Sequence, residues 1–483
     1  MKKLIFVIMA LVLVIGLSIT GQEASVLAQE SGPQSGDIVS LGKAIFYDTN
    51  LSKNGDQSCA TCHAPEVGFT GPDSLVNAGE AIYQGTLPNH FGNRKPPTAA
   101  YAGFSPELHQ DATGAWFGGM FWDGRATGWT LHDPLAEQAQ GPFLNPLEQA
   151  IANSQVLCVN IKQAEYSDLF EEVWGSGSLN CAKDSDGVYE KIGRSVAAYE
   201  RSLEANPFTS KFDLFWDNAK KAGKDVTKIQ CPGMGMGCGM PGMGSGGGMM
   251  SRWPYRWTIY RGLGLSDEEL IGLAVFNDPA RANCASCHSL KAGPADYPLF
   301  TNFGYNNIGV PKNPENPFYS MPAAWNPEGE NWVDYGLGGY LLSAGSEVYE
   351  SELGKVKVPT LRNVDLRPSD DFVKAYGHNG YFKSLDEIVL FYSWRGLTMN
   401  GGLGMGGSGM DCDTMGGGGM GGGGMGGGGM GGGMGGDMTM MCDPNLFPQP
   451  EVNQNITPVN HFSMMHQSNV VTFLKTLSDG YVP

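Results

Sequence analysis

Apolar residues recur three or four positions apart in several segments of the chain, the spacing of one helical face. The first such segment runs from Ile38 to Tyr47. Segments 161–174 and 188–203 show the same pattern, and the apolar face of the latter runs from Ile192 to Leu203. Because this spacing lets a helix bury one side, we predict three amphipathic helices in the first half of the chain.

The second half of the chain continues this pattern. Ser266 precedes three acidic residues, which is typical of a helix start because serine caps free N–H groups and acids oppose the helix dipole. Segments 385–392 and 469–477 are also predicted helices. Residues 68–97 are rich in Gly, Pro and Asn and are predicted to form a loop. Strand patterns are scarce, so the fold class is predicted to be mostly α with long loops.

Two pentapeptides interrupt this pattern and indicate chemistry. They are Cys59-Ala60-Thr61-Cys62-His63 and Cys284-Ala285-Ser286-Cys287-His288. In a C-x-x-C-H motif the two thiols can bind the vinyl groups of a haem, and the histidine ligates the iron. A zinc half-site is the alternative, but zinc needs four grouped ligands and the other cysteines stand at unrelated spacings. The sequence therefore predicts two covalently bound haem c groups.

The surroundings of the two motifs are also related. The segment 41–48 before the first motif aligns with 271–278 before the second, and Pro97-Thr98 after the first corresponds to Pro359-Thr360 after the second. This internal repeat predicts two tandem cytochrome c-like haem domains. We place the N-terminal haem domain at 29–210, a linker at 211–265 and the C-terminal haem domain at 266–483.

Two tracts consist almost entirely of glycine and methionine. One spans 231–250 within the predicted linker, and the other spans 399–441 within the C-terminal domain. Glycine at this density loses much backbone entropy on ordering, which favours flexible inserts over packed elements. Methionines that scavenge oxidants and thioethers that bind Cu(I) are two further interpretations of these tracts.

Composition and the N-terminus indicate where the protein acts. Residues 1–28 have two lysines, an apolar run and small residues before a cut, as in a secretory signal peptide. The prediction is export to the periplasm, and an uncleaved membrane anchor is the alternative. The net charge of -18 disfavours nucleic acid and suits a basic soluble partner.

Six cysteines lie outside the haem motifs. They form three local pairs, Cys158 with Cys181, Cys231 with Cys238, and Cys412 with Cys442. In an exported protein such pairs favour local disulfides, although sequence alone does not prove the connectivity.

Several long motifs in one order resemble the bacterial dihaem cytochrome c peroxidase family, which includes the MauG enzymes. The motifs are Leu41-Gly42-Lys43, Phe121-Trp122-Asp123-Gly124-Arg125-Ala126, Gln138-Ala139-Gln140-Gly141-Pro142, Asn145-Pro146-Leu147-Glu148 and Val358-Pro359-Thr360-Leu361-Arg362-Asn363-Val364. The resemblance covers about 41–477 apart from the two Gly/Met tracts.

The resemblance implies a role for each matching residue. His63 would be the proximal ligand of a peroxidatic haem, and His288 that of an electron-transfer haem. Glu148 would be the distal acid/base, with Gln138 and Pro142 beside it in the same pocket. Trp122 would relay electrons between the haems, although an aromatic residue at this place can also simply pack in a core.

Three departures from the family pattern bear on the sites. Tyr392 stands where typical peroxidases place a methionine ligand of the second iron, as it does in MauG-like members, and Met399 is the alternative ligand. His90 is the candidate for a loop histidine that caps the first haem. Lys95 replaces a frequent asparagine and puts an interdomain calcium ion in doubt, although backbone carbonyls could still bind one.

The leading hypothesis is a peroxidase that reduces hydrogen peroxide at the first haem with electrons drawn through the second. Its soluble donor would be a small cytochrome c or copper protein. A MauG-like oxidase that oxidises side chains of a partner protein is the alternative within enzymes. A protein of another class would carry electrons or bind copper. A homodimer stays an open alternative to a monomer.

Overall fold

The computed structural model describes residues 35–231, 238, 256–399 and 446–483. The predicted signal peptide, nearly all of both Gly/Met tracts, and the pair Cys412 and Cys442 lie outside these residues. Within them helices dominate and strands are short, so the mostly α fold class is confirmed.

The helices follow one another along the chain with long connections. In chain order they are α1 Ser35–Tyr47, α2 Cys59–Cys62, α3 Ser74–Ala78, α4 Pro134–Leu144, α5 Ser154–Gln163, α6 Ser167–Trp174, α7 Ser185–Glu200, α8 Lys211–Lys221, α9 Asp267–Asn277, α10 Gly336–Ser343, α11 Leu385–Met399 and α12 Met464–Lys475. The antiparallel pairs of strands are β1 His109–Gln110 with β2 Trp116–Phe117, and β3 Tyr305–Asn306 with β4 Val356–Lys357.

Helices α1 and α7 cross in the first hydrophobic core. Leu41 and Phe46 of α1 and Ile192 of α7 are fully buried there. At the crossing, a Cβ on Gly42 would lie 1.8 Å from the carbonyl oxygen of Ser195, so only glycine allows this approach. The apolar faces predicted for these helices are therefore the faces that pack.

The second core repeats this arrangement. Helices α9 and α12 cross there, and a Cβ on Gly272 would lie 2.0 Å from the carbonyl oxygen of Asn469. Gly272 is the residue that aligns with Gly42 in the sequence repeat. Ser266 caps α9 by accepting a hydrogen bond from the Glu269 N–H at 3.3 Å. The repeat in sequence thus corresponds to two helix crossings of the same kind.

Some element boundaries differ from the predictions. The single helix predicted over 161–174 is two helices, α5 and α6, separated by a turn at 164–166. Helix α7 ends at Glu200, so Leu203 is outside it and 79% exposed. Asn206 explains this end, because its side-chain amide donates to the carbonyls of Glu200 at 2.8 Å and Ser202 at 3.0 Å. The loop predicted for 68–97 also contains the short helix α3.

The segment predicted as a linker contains packed structure. Phe212 and Phe215 of α8 are fully buried in the second core, together with Trp257 and Tyr260 from the other end of the same segment. Sequence composition did not separate these residues from the neighbouring Gly/Met tract.

Two of the expected disulfides are present. Cys158 bonds to Cys181 and Cys231 bonds to Cys238, whereas the four haem-motif cysteines are free thiols. None of the helices in the described ranges is long and apolar enough to span a bilayer.

Candidate functional site

The first C-x-x-C-H motif forms the short helix α2. The Ser58 N–H, just before the motif, donates to the Thr61 hydroxyl within it at 2.9 Å. The His63 Nδ1 lies 3.2 Å from the carbonyl oxygen of Phe69, and burial lowers the pKa of His63. With the proton on Nδ1 for this bond, Nε2 keeps the lone pair that a metal ion needs.

The second motif has the same local geometry. The His288 Nδ1 lies 2.9 Å from the carbonyl oxygen of Phe300, and burial lowers the pKa of His288 to about 4. A neutral imidazole is the form that binds iron, so this histidine is ready to act as a ligand at neutral pH. In both motifs a backbone carbonyl some residues downstream orients the ring.

A cavity of about 420 Å³ lies beside the first motif. It is lined by Cys59, Cys62 and His63 from the motif. The structure also brings all four residues predicted as catalytic to its wall, namely Gln138, Pro142, Glu148 and Trp122. Gln138 and Pro142 belong to α4, which Asp133 caps through the N–H groups of the first turn. The end of α4 therefore positions the predicted distal group.

Two opposing effects act on Glu148. Burial raises the pKa of its carboxyl above the ordinary value, while nearby Arg125 and a hydrogen bond with Asn145 oppose that rise. The guanidinium carbon of Arg125 stands 3.7 Å from the centre of the Phe121 ring, which holds it at the cavity. A carboxyl with a raised pKa can exchange protons nearer neutral pH than an exposed one, as a general acid/base requires.

A second cavity of about 250 Å³ lies beside the second motif. Cys284, Cys287 and His288 line it, and so does Tyr392 of α11. Burial raises the pKa of Tyr392, with the two neighbouring cysteines adding to the effect. The alternative ligand Met399 is the last residue of α11, and its side chain lies outside the described part of the structure.

The two cavities share a wall. Lys95, Pro97, Thr98 and Trp122 line both of them. The Trp122 indole is 8% exposed and donates its N–H to the carbonyl oxygen of Lys95 at 2.9 Å. Its ring centre lies 6.4 Å from that of His378, which lines the second cavity. Trp122 is thus both a packed residue and an aromatic bridge between the two sites.

Buried charges join the two halves of the chain around this wall. Arg94 contacts Asp123 at 2.5 Å and binds both carboxylate oxygens of Asp334 at 2.6 Å. The two guanidinium contacts hold the pKa of the Asp334 carboxyl well below its usual range. His378 lies 3.7 Å from the same carboxylate. This network fixes the wall from both sides.

Three buried lysines near the wall were not predicted from the sequence as functional residues. Lys374 donates to the carbonyls of Val67 at 2.9 Å and Asn363 at 2.7 Å, and Lys357 donates to the carbonyl of Gly118 at 2.9 Å. Lys95 donates to the carbonyl of Pro96 at 3.1 Å. Among the described residues none of the three has a carboxylate within ion-pair distance. Only the departure at Lys95 could have been read from the chain.

Lys95 does not fit the interdomain calcium ion that the family pattern suggests. Its side chain is buried, and burial lowers the pKa of its ammonium to about 8, which still leaves it mostly charged at neutral pH. A calcium ion at the same place would meet this charge instead of an asparagine oxygen. Within the described ranges, no three His, Cys, Asp or Glu side chains come together as a metal-binding group.

The structure also shows where two further residues, Glu200 and His90, lie relative to the first cavity, which the sequence could not establish. Glu200, at the end of α7, lines the first cavity, is 4% exposed, and has its pKa raised to about 8 by burial. His90, the candidate cap of the first haem, does not itself line this cavity. The centre of its ring lies 5.5 Å from that of Trp325, a residue that does line the cavity.

The residues present fit two haem groups. Each cavity combines two free thiols with a histidine that has one ring nitrogen bonded to a carbonyl and the other available. The walls are otherwise mostly apolar around the second motif and more polar around the first. These features match covalent attachment and axial ligation of haem c.

Comparisons with known proteins agree with this geometry. The model of the di-haem cytochrome c peroxidase family matches residues 37–221. The methylamine utilization protein MauG of Paracoccus denitrificans is 32% identical over 368 residues, which cover 76% of this chain and 76% of that protein. A cytochrome-c peroxidase of a Pseudomonas species is 23% identical over 375 residues, covering 75% of this chain and 73% of that one.

A solved structure extends the likeness to three dimensions. The diheme peroxidase BthA from Burkholderia thailandensis is 26% identical to this chain, and the two superpose with a TM-score of 0.61. The match covers 93% of this chain and 87% of that one, so it includes both cores.

Proposed function

Because this chain belongs to the di-haem cytochrome c peroxidase and MauG family and is a dihaem oxidoreductase of the peroxidase type, we propose that it reduces hydrogen peroxide in the first cavity. The proposed electrons come from a small soluble donor and pass through the second cavity. We further propose that the two haem groups are held covalently by the four free cysteines in two tandem haem domains. Residues 1–28 would direct the protein to the periplasm.

One observation carries this proposal: the two C-x-x-C-H cavities share the Trp122 wall. An enzyme that accepts electrons at one site and uses them to reduce a substrate at another needs a short path between the two sites. The shared wall supplies an aromatic ring along such a path. A single isolated cavity would instead have favoured a simple electron carrier.

The side chains of the first cavity account for the proton steps. A haem, when bound, supplies the iron at which the O–O bond of peroxide breaks. Glu148 would take the proton from the near oxygen of peroxide and deliver it to the far oxygen, which then leaves as water. Gln138 and Pro142 would shape the space around that carboxyl. His63 would hold the iron through the ring nitrogen that is not bonded to the Phe69 carbonyl.

The proposal is tested by haem content and by turnover. Replacing both Cys284 and Cys287 with alanine should halve the haem bound per chain in a pyridine haemochrome assay. The unmodified protein should oxidise a reduced small cytochrome when peroxide is added. Full haem content in the double variant would contradict two covalent sites, and an absence of turnover with any soluble donor would contradict the peroxidase proposal.

A second candidate function is a MauG-like oxidase that acts on side chains of a partner protein. The observation that favours it is Tyr392 at the second cavity, because a hard phenolate ligand stabilises ferric and higher oxidation states. Slow turnover with small donors, together with peroxide-dependent oxidation of a partner protein, would favour this candidate. Metal binding by the Gly/Met tracts concerns residues outside the described ranges.

A further inference from the structure

Trp325 connects the first cavity with the protein surface. Trp325 is among the residues that line the cavity, yet it is 39% exposed. The other tyrosine and tryptophan residues that line this cavity are less exposed, namely Tyr83 and Trp122. Trp122 is buried in the wall that the two cavities share. An electron that enters the first cavity from the surface through an oxidisable ring therefore meets Trp325 as the outermost one.

The surrounding loop holds this indole in place. The main-chain N–H of Trp325 donates to the carbonyl of Pro322 at 2.8 Å, which fixes the backbone that carries the indole. The next residue, Asn326, is buried and donates to the carbonyls of Phe318 at 2.8 Å and Gly329 at 3.0 Å. The His90 ring packs against the indole at 64°. A relay residue needs such a fixed position, because electron transfer depends steeply on distance.

The indole N–H of Trp325 is free to lose a proton. Among the described residues it has no hydrogen-bond acceptor, in contrast to Trp122, which is bonded to Lys95, and Trp129, which donates to the carbonyl of Leu108 at 2.8 Å. Loss of one electron makes an indole N–H strongly acidic. Exposed to water, Trp325 can release this proton and form a neutral radical at the surface.

We propose that Trp325 is a surface relay through which the first cavity takes single electrons from aromatic donors too large to enter it. The inference rests on the proposed reduction of peroxide in this cavity. Because the cavity of about 420 Å³ has to hold the haem as well as peroxide, a bulky donor stays at the surface. The donor class is phenols, either on a bulky carrier or as exposed tyrosines of a partner protein.

The proposed step balances in electrons and protons. One peroxide takes up two electrons and two protons and yields two waters. For each electron, Trp325 gives one electron to the oxidised site and its N–H proton to water. A phenol at the surface then gives an electron and a proton to the tryptophyl radical and becomes a phenoxyl radical. Two such cycles complete one turnover, and peroxide is the oxidant throughout.

The test compares a large phenol with a protein donor. The variants are Trp325→Phe, Trp325→Tyr and the control Trp129→Phe, which removes an indole that is 52% exposed and lines neither cavity. The donors are tyramine coupled to dextran, and reduced cytochrome c. Trp325→Phe should lower peroxide-driven oxidation of the dextran phenol by roughly tenfold while oxidation of cytochrome c stays within about twofold. Trp325→Tyr should restore part of the lost rate, and Trp129→Phe should change neither.

A direct readout does not depend on turnover of a donor. Peroxide added without donor but with a nitroso spin trap should leave an adduct on the peptide containing Trp325, found by mass spectrometry, and none on that containing Trp129. The relay is overturned by an unchanged dextran-phenol rate in Trp325→Phe, by equal loss with both donors, or by adducts only elsewhere. If the unmodified protein oxidises cytochrome c but not the dextran phenol, the relay alone fails. If it oxidises neither, the proposed function fails with it.

Discussion

Residues at the first cavity show how burial changes the chemistry of an ordinary side chain. Glu148 was assigned from a motif, and only its position on the cavity wall explains why its carboxyl holds a proton more tightly than an exposed glutamate does. Trp122 was assigned in the same way, and its bond to the Lys95 carbonyl fixes which face it presents to each site. For these residues, the sequence identified the candidates, and the fold sets the proton affinity of the Glu148 carboxyl.

Glu148→Gln should slow the reaction with peroxide by about 10²-fold, the usual scale for losing a general acid/base, and should leave both haem spectra nearly unchanged. The carboxylate must accept a proton, so the rate should fall as the pH falls through its pKa. Burial raises that pKa, which moves this limb of the profile above the range of an exposed glutamate. Stopped-flow mixing across pH measures both effects, and a variant that keeps the acid limb would exclude Glu148.

If the phenol oxygen of Tyr392 binds the second iron, Tyr392→Phe should remove that ligand. The second haem should then give a high-spin ferric signal by electron paramagnetic resonance. Tyr392→Met should raise the midpoint potential of that haem, because a thioether favours ferrous iron. Met399→Ala is the matched variant for the alternative ligand. A spectrum that changes with Met399→Ala and not with Tyr392→Phe would assign the methionine instead.

Elements were predicted well where one face of a helix is buried and less well at their ends. The spacing of apolar residues was sufficient to predict α1 and α7, because both helices bury a continuous apolar stripe against each other. The end of α7 was missed because it depends on Asn206, a residue outside the helix that binds the carbonyl of its last residue, Glu200. Helix α8 was absorbed into a predicted linker because the neighbouring Gly/Met tract dominates the composition of that segment.

Helix α8 is anchored by a buried ion pair. Arg362 is 2% exposed and binds both carboxylate oxygens of Asp213, at 2.9 and 3.0 Å. Asp213→Asn would leave this guanidinium without its charge partner, so we expect a loss of about 3–5 kcal/mol in the free energy of unfolding. Urea denaturation followed by circular dichroism measures the change. The control is Glu190→Gln, which breaks a partly exposed pair with Arg194 and should cost at most about 1 kcal/mol.

The whole molecule joins two similar cores through polar contacts that no local pattern foretells. The repeat was recognised from the aligned segments 41–48 and 271–278, and Gly42 and Gly272 align within them because both helix crossings demand glycine. Arg94, Asp334 and the three lysines come from distant parts of the chain, and their meeting depends on how the two halves dock. The candidate sites could therefore be named from the sequence, whereas their shared wall could not.

Arg94→Gln should weaken the docking of the two halves. The variant leaves Asp123 and Asp334 buried without their shared cation, and we expect the protein to lose about 3–5 kcal/mol of stability. Calorimetry should also show a broader transition, as the halves begin to unfold separately. Arg261→Gln, which removes an exposed contact with Asp267, serves as the control and should leave the transition sharp.

The buried bridge from Asp123 through Arg94 to Asp334 also bears on how fast electrons would cross between the cavities in the proposed reaction. An electron tunnels, and its rate depends on the gap it must cross and on the driving force. Arg94 fixes the tunnelling distance through bonds sheltered from water. Electron transfer therefore does not depend on a motion of one half of the molecule relative to the other. The rate of electron transfer between the cavities should then not change when glycerol is added, because solvent viscosity slows large motions but does not affect tunnelling across a fixed distance.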